Sequence, residues 1–225
     1  MLLNLNRLGK MSTSNSKPSI TAIVAATQSN GIGLDGGLPW KLPGEMKYFA
    51  RVTTGEEPSS DLDQQNIVIM GRKTWESIPS KFRPLKNRKN LIISNKGIDV
   101  KESINTKSFN SIESTFEFLS NSNTNLNSSN KIFLIGGSQL YKTFLITKPP
   151  LINRILLTRI ISEFKCDSFL EDFKSHKSLK NNLPIWKKSN HLELENWLGF
   201  KIDEENEEKG VKYKYEMWTL NEESE

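Results

Sequence analysis

The sequence predicts an α/β fold in one domain, built on a mostly parallel sheet that finishes in an antiparallel strand. Three observations predict it. Short apolar runs rich in Ile, Val and Leu recur through the first two thirds of the chain, as strands buried on both faces do. Segments with helical spacing separate them. The late run KYKYEMWTL (212–220) alternates instead, as an antiparallel end strand does.

In chain order the buried strands are SITAIVAA (19–26), NIVIMG (66–71), NLIISN (90–95), KIFLIGG (131–137) and RILLTRII (154–161). Helices are predicted over 44–53, 73–78, 111–119 and 138–146. In SIESTFEFLS, Ile112, Phe116 and Leu119 keep helical spacing and Ser111 stands where a cap belongs. Strand–helix alternation followed by strands alone gives a parallel sheet with an antiparallel end. The polar segments 53–65 and 120–130 read as surface insertions. No shift in composition marks a second core. One domain over 19–221 is therefore expected, after a disordered leader at 1–18 and before a short tail at 222–225.

Lys and Arg number 31 against 26 Asp and Glu, a net charge of +5. The segment DEENEE (203–208) is read as a solvated acidic loop. The basic excess is diffuse and no RNP, KH or zinc signature appears, which argues against nucleic-acid binding. A single cysteine, Cys166, excludes internal disulfides and favours a reducing, cytoplasmic setting. The opening MLLNLNRLGKMSTSNSK lacks acidic residues, the one feature that points toward a mitochondrial presequence. No run approaches the ~20 apolar residues that span a bilayer. His176 and His191 are not spaced as metal ligands, so no metal is expected.

The stretch NGIGLDGGLPWKLPGEMKYF (30–49) contains G-x-G-x-x-G at Gly31, Gly33 and Gly36. A dinucleotide turn must end a strand and open a helix directly. Here four residues precede Gly31, and Pro39 and Pro43 block a helix beside the last glycine. The glycines instead make a loop able to fold over a ligand, with Leu38 and Trp40 as its apolar face. Just beyond stands Glu45. On a helix it lies within about 40° of Phe49, on a flank shared with Met46 and Thr53, while Lys47, Tyr48 and Arg51 point largely away. Two readings of Glu45 stay open on the residues alone. One is electrostatics with the free N–H groups of a helix start; the other is a sheltered acid that holds an amidine-like ligand and manages a proton.

Two further segments suit phosphates. IMGRKTW (69–75) places Gly71, Arg72, Lys73 and Thr74 where a strand ends and a helix begins; LIGGSQLY (134–141) repeats the design with Gly136, Gly137 and Ser138. Glycine lets backbone N–H groups approach an anion, and the new helix adds its positive end. Each alone is a common strand–helix turn; two on one sheet edge point to a dinucleotide.

With IVAATQSNGIGLDGGLPW, IVIMGRKTWESIP, RPLKNR and IFLIGGSQLY in this order and spacing, the chain resembles the dihydrofolate reductases, with loops like those of fungal members. The resemblance covers about 20–219. It implies an eight-stranded mixed sheet with about four helices, and hydride transfer from NADPH to C6 of 7,8-dihydrofolate with protonation at N5. The product, tetrahydrofolate, serves thymidylate and purine synthesis, and the enzyme would be a monomeric antifolate target. By position, Glu45 would bind the pterin N3 and 2-amino group, with Trp40 holding a water beside it and Thr158 supporting its carboxylate. Leu38 would belong to the mobile loop over nicotinamide, and Phe49 would pack on the substrate rings. Ile23 and Ile135 would offer carbonyls, and Arg88 would take the glutamyl carboxylate. Val24, Met46, Ile78, Phe82, Leu85 and Tyr141 would complete the substrate pocket.

For the cofactor, the resemblance implies Ala25, Gly31, Ile32, Gly33 and Leu34 at the nicotinamide side, with Gly36 and Gly37. Gly71, Arg72, Lys73 and Thr74 would serve the phosphates. Gly136, Gly137, Ser138, Gln139, Leu140 and Tyr141 would serve the pyrophosphate. Ser94 would touch the 2′-phosphate; many relatives carry Arg next, whereas this chain has Asn95 and then Lys96, so Arg72 and Lys96 are expected to share that phosphate. Two rival readings are a related reductase of riboflavin synthesis and a non-catalytic nucleotide-binding protein. Glu45 together with Arg88 argues against the former, whose substrate has no glutamyl tail.

Overall fold

The computed structural model describes residues 18–56, 61, 64–98, 100, 105–120 and 130–221. The expected leader, apart from Pro18, lies outside these residues, as do the tail and parts of both polar insertions (57–60, 62–63 and 121–129).

Strand β1 (Ile20–Ala26) is buried at every position but Ala25. Parallel to it on one side runs β7 (Arg154–Ile160), and on the other β6 (Ile132–Leu134). Next come β3 (Ile67–Gly71), β4 (Lys89–Ile93) and β5 (Thr106–Phe109), each parallel to its neighbour. Beyond β7 lies β11 (Val211–Leu220), antiparallel, and then β10 (Glu205–Glu208), antiparallel to β11. The order is β10-β11-β7-β1-β6-β3-β4-β5. This is the predicted eight-stranded, mostly parallel sheet with its antiparallel C-terminal strand; a short ninth strand, β9 (Trp186–Lys188), pairs with the end of β11. Separately, β2 (Gly31–Gly33) and β8 (Ser168–Phe169) form a two-stranded ribbon.

Period-2 alternation sends β1 side chains to both faces. Ile20, Ala22 and Val24 join Phe116 of α3 (Ile112–Ser120) and Phe144 of α4 (Ser138–Ile146). Ile23 joins Leu156, Met217 and Tyr48 and Val52 of α1 (Pro43–Thr54), with Leu194 and Leu198 of α5 (His191–Leu198). Helix α2 (Arg72–Ser77) follows β3 directly. The four predicted helices are thus present, and Ser111 caps α3 by accepting the Ser114 N–H at 3.1 Å. No described helix is long and apolar enough to cross a membrane.

The structure corrects several details. The strand expected to 137 stops at Leu134, because Gly136 turns out of the sheet at φ 111°, a conformation that favours glycine. Residues 53 and 54 belong to α1, not to a loop. Tyr48 does not point away from the core: it is buried and stacks on Tyr215 with ring centroids 3.8 Å apart, since β11 covers that flank of α1. The acidic run is not a solvated loop, for Glu205–Glu208 is β10. Helix α5 is additional; Asn190 and Glu193 form a capping box there.

Candidate active site

Helix α1 carries Glu45 in its first turn, started by Pro43 at a position where a missing N–H costs nothing. The side chain is 6% exposed. Thr158 of β7, also buried, donates its hydroxyl to Glu45 Oε1 at 3.1 Å. Register places Thr158 between Ala25 on β1 and Tyr215 on β11. Burial pushes the Glu45 carboxyl up to about 7; the Thr158 hydrogen bond opposes this and the negative charge of Glu208 adds to it.

The acid neighbours Tyr48, which belongs to an apolar cluster with Ile23. Phe49, Ile78, Leu85 and Ile135 are partly buried margins of the cluster that contains Ile23. Leu38, Met46 and Phe82 are exposed apolar residues, each at least 47% accessible, so Leu38 presents an apolar surface from the loop while Trp40 is packed inward. Val24 sends its side chain to the opposite core, which leaves only its backbone on this face. Tyr141 donates its hydroxyl to the Ile23 carbonyl at 2.6 Å, fixing one of the two carbonyls in question. Trp40 packs edge-on against Phe164, and its Nε1 is buried with no acceptor among the described residues. That donor is available to a bound water or ligand.

Arg88 is 6% exposed and bonds through Nη1 to the Thr53 hydroxyl at 2.7 Å and through Nε to the Lys86 carbonyl at 3.0 Å. Burial lowers its pKa to about 10, and no described carboxylate forms an ion pair with it. A buried guanidinium without an anion is expensive. The site is therefore suited to an incoming carboxylate.

The two phosphate-type loops meet. Gly71 N–H donates to the Gly136 carbonyl at 2.8 Å across β3 and β6, and the Gly136–Gly137 peptide is cis. A Cβ at Gly137 would lie 3.2 Å from the Thr74 hydroxyl oxygen. Neither α2 nor α4 has a side-chain cap, so the first backbone N–H groups of both are open toward an anion. Ser138 and Gln139 stand at the start of α4, and Leu140 packs on the core. Lys73 is exposed beside them. Arg72 spans to Glu76 instead, in an exposed pair at 2.9 Å; such a pair holds the guanidinium only weakly. Ser94 donates its hydroxyl to Gly97 O at 2.8 Å, closing a turn that leaves Asn95 and Lys96 exposed.

The glycine segment forms a ribbon, not a helix start. Leu34 and Gly37 exchange backbone hydrogen bonds around Asp35 and Gly36, both at positive φ, the hairpin turn that Asp-Gly favours. Ile32 packs on the core beneath. Residues the sequence reading missed secure the base of this ribbon. Buried Arg159 donates to the Thr27 carbonyl and to Asn30 Oδ1, and Glu163 accepts from the Ser29 N–H and hydroxyl. Asp167 accepts the Asp35 N–H at 2.9 Å near the tip. Only the Asp-Gly pair was a local signal; the others act across more than 125 residues.

A family model described as dihydrofolate reductase matches residues 19–194. A dihydrofolate reductase of Cryptococcus neoformans var. neoformans serotype D is 55% identical over 224 residues, covering 92% of this chain and 97% of that protein. One from Pneumocystis carinii is 41% identical, with 91% and 98% covered. One from Bos taurus is 37% identical, with 90% and 97% covered.

Proposed function

Because the chain belongs to the dihydrofolate reductase family and is thereby an oxidoreductase, we propose that it reduces 7,8-dihydrofolate to tetrahydrofolate with NADPH. The observation that carries this reading is Glu45: a sheltered acid titrating near 7, held by Thr158, beside Tyr48 of an apolar cluster.

When bound, the dinucleotide supplies the hydride for C6. The protein's part is positioning, shelter and proton control. Glu45 accepts from the N3 and 2-amino donors of the pterin, and its charge offsets the positive charge that develops as N5 gains a proton. Trp40 Nε1 holds a water for that proton's passage. Phe49, Ile78 and Leu85 seat the rings, and Leu38 with the ribbon keeps bulk water out. Arg88 takes the glutamyl carboxylate through paired N–H bonds. The glycine turns at Gly71 and Gly136–Gly137 hold the diphosphate, while Ser94, Lys96 and a released Arg72 meet the 2′-phosphate.

Oxidation of NADPH followed by absorbance, with dihydrofolate as acceptor, tests the proposal; absence of turnover overturns it. Arg88→Ala tests the substrate more finely. Loss of a charged hydrogen bond weakens dihydrofolate binding by about 1.5–3 kcal/mol, with NADPH affinity nearly intact. Equal weakening of both ligands contradicts the anchor.

A further inference from the structure

Helix α1 starts without a cap from its own neighbourhood: Leu42 stands at the N-cap and Pro43 follows. Its first donors are met from the far end of the chain. The Glu208 carboxylate, on β10, accepts the Gly44 N–H at 2.9 Å on each oxygen and the Glu45 N–H at 3.3 Å. Tyr213 of β11 donates its hydroxyl to the same carboxylate at 2.5 Å. Position 44 has room for this only as glycine. A Cβ there would lie 2.6 Å from Glu208 Oε1 and 3.1 Å from the Tyr213 hydroxyl.

A glutamate at the third helical position closes a capping box only on the N–H of the N-cap residue, here Leu42. The free N–H groups of Gly44 and Glu45 have their anion in Glu208, while the Glu45 carboxylate meets Thr158. We infer that Glu208 is a positioning residue for the reaction: it occupies the start of α1, keeps the Glu45 carboxylate directed at Thr158 and the substrate cavity, and sets a fixed negative charge beside it. This rests on reading Glu45 as the acid of the reaction.

The surroundings make Glu208 the charge that matters. Glu45 faces Tyr48 of its own helix, Tyr141 of α4, Tyr213 and Tyr215 of β11, and Thr158 of β7. Burial raises all four tyrosines, so they stay uncharged where Glu45 titrates. Glu208 does not. Burial would raise its carboxyl, but the Tyr213 hydroxyl, the Gly44 and Glu45 N–H groups and the charge of Lys209 outweigh that and hold it below the usual range. It is ionised throughout the interval in which Glu45 changes state.

Glu208→Gln keeps the size and one acceptor oxygen but removes the charge. Glu45 is followed directly by carbon-13 NMR of carboxyl-labelled glutamate, with Glu45→Gln assigning the resonance, so no turnover is needed. The Glu45 midpoint is expected to fall by about 0.5–1 pH unit in E208Q, and the pH profile of kcat to move to lower pH with it. An unchanged midpoint, whatever happens to stability, overturns the inference. Should E208Q not fold, Gly44→Ala displaces the carboxylate sterically and is expected to lower the midpoint likewise; no shift there overturns it equally. If the unaltered enzyme failed to reduce dihydrofolate, the functional reading would fall while the titration still decided the role of Glu208.

Discussion

Burial raises the Glu45 carboxyl from 4.5 to about 7, because the ionised form loses hydration that the Thr158 hydroxyl only partly replaces. The folded state therefore binds this proton more tightly than the unfolded chain. Its stabilising effect is fully present below pH 4.5 and is lost as pH rises through 7. By about pH 8 the folded state has lost about 3 kcal/mol on account of this one group. Glu45→Gln is accordingly expected to stabilise the fold in denaturant titrations at about pH 8 and to leave it nearly unchanged at about pH 4. The same variant should lose about 100-fold or more in turnover at neutral pH. Glu45 and Arg88 were legible in the sequence because each stands in a run of recognisable order. Whether Glu45 served its own helix start or a ligand was not legible. The side chain that caps this helix start, Glu208, lies 164 residues from Gly44, and no local pattern links the two.

Among the elements, the ribbon over the site depends on one close approach. A Cβ at Gly31 would lie 2.4 Å from Cys166 Sγ and 2.8 Å from its Cβ. Gly31→Ala should cost about 1–3 kcal/mol through overpacking and raise the KM for NADPH more than that for dihydrofolate. Adding Cys166→Ala should recover part of both, since the sulfur is the nearest atom; a double-mutant cycle in thermal unfolding and steady-state kinetics measures the coupling. Strands with continuous apolar runs and helices with periodic faces could be read directly. Strand β5 could not: its residues, TKSF, have no apolar run, and pairing with β4 makes them a strand. Helix α5 and the hairpin turn at Asp35-Gly36 went unread, although the Asn190–Glu193 spacing of a capping box and the Asp-Gly pair mark them.

At the scale of the whole molecule, the site joins α1, β1, β7, the β10–β11 hairpin and the loops after β3, β4 and β6. A ligand bound there ties these elements together only in the folded state. NADPH at about 100 times its Kd should add about 2.7 kcal/mol, which raises Tm by about 5–10 °C for a chain of this size. Differential scanning with NADPH, and with NADH at the same concentration, tests this, the larger rise being expected for the phosphorylated form. Strand direction was legible because parallel strands need helical crossovers; the sheet order was not, since β1 pairs with β6 and β7 across more than 100 residues. The placement of β11 has a temporal consequence. During synthesis β7 leaves the ribosome long before residues 205–220, so its outer edge stays unpaired and α1 lacks its Glu208 cap until those residues emerge. A nascent chain therefore settles the start of α1 late, in the same event that covers the outer edge of β7.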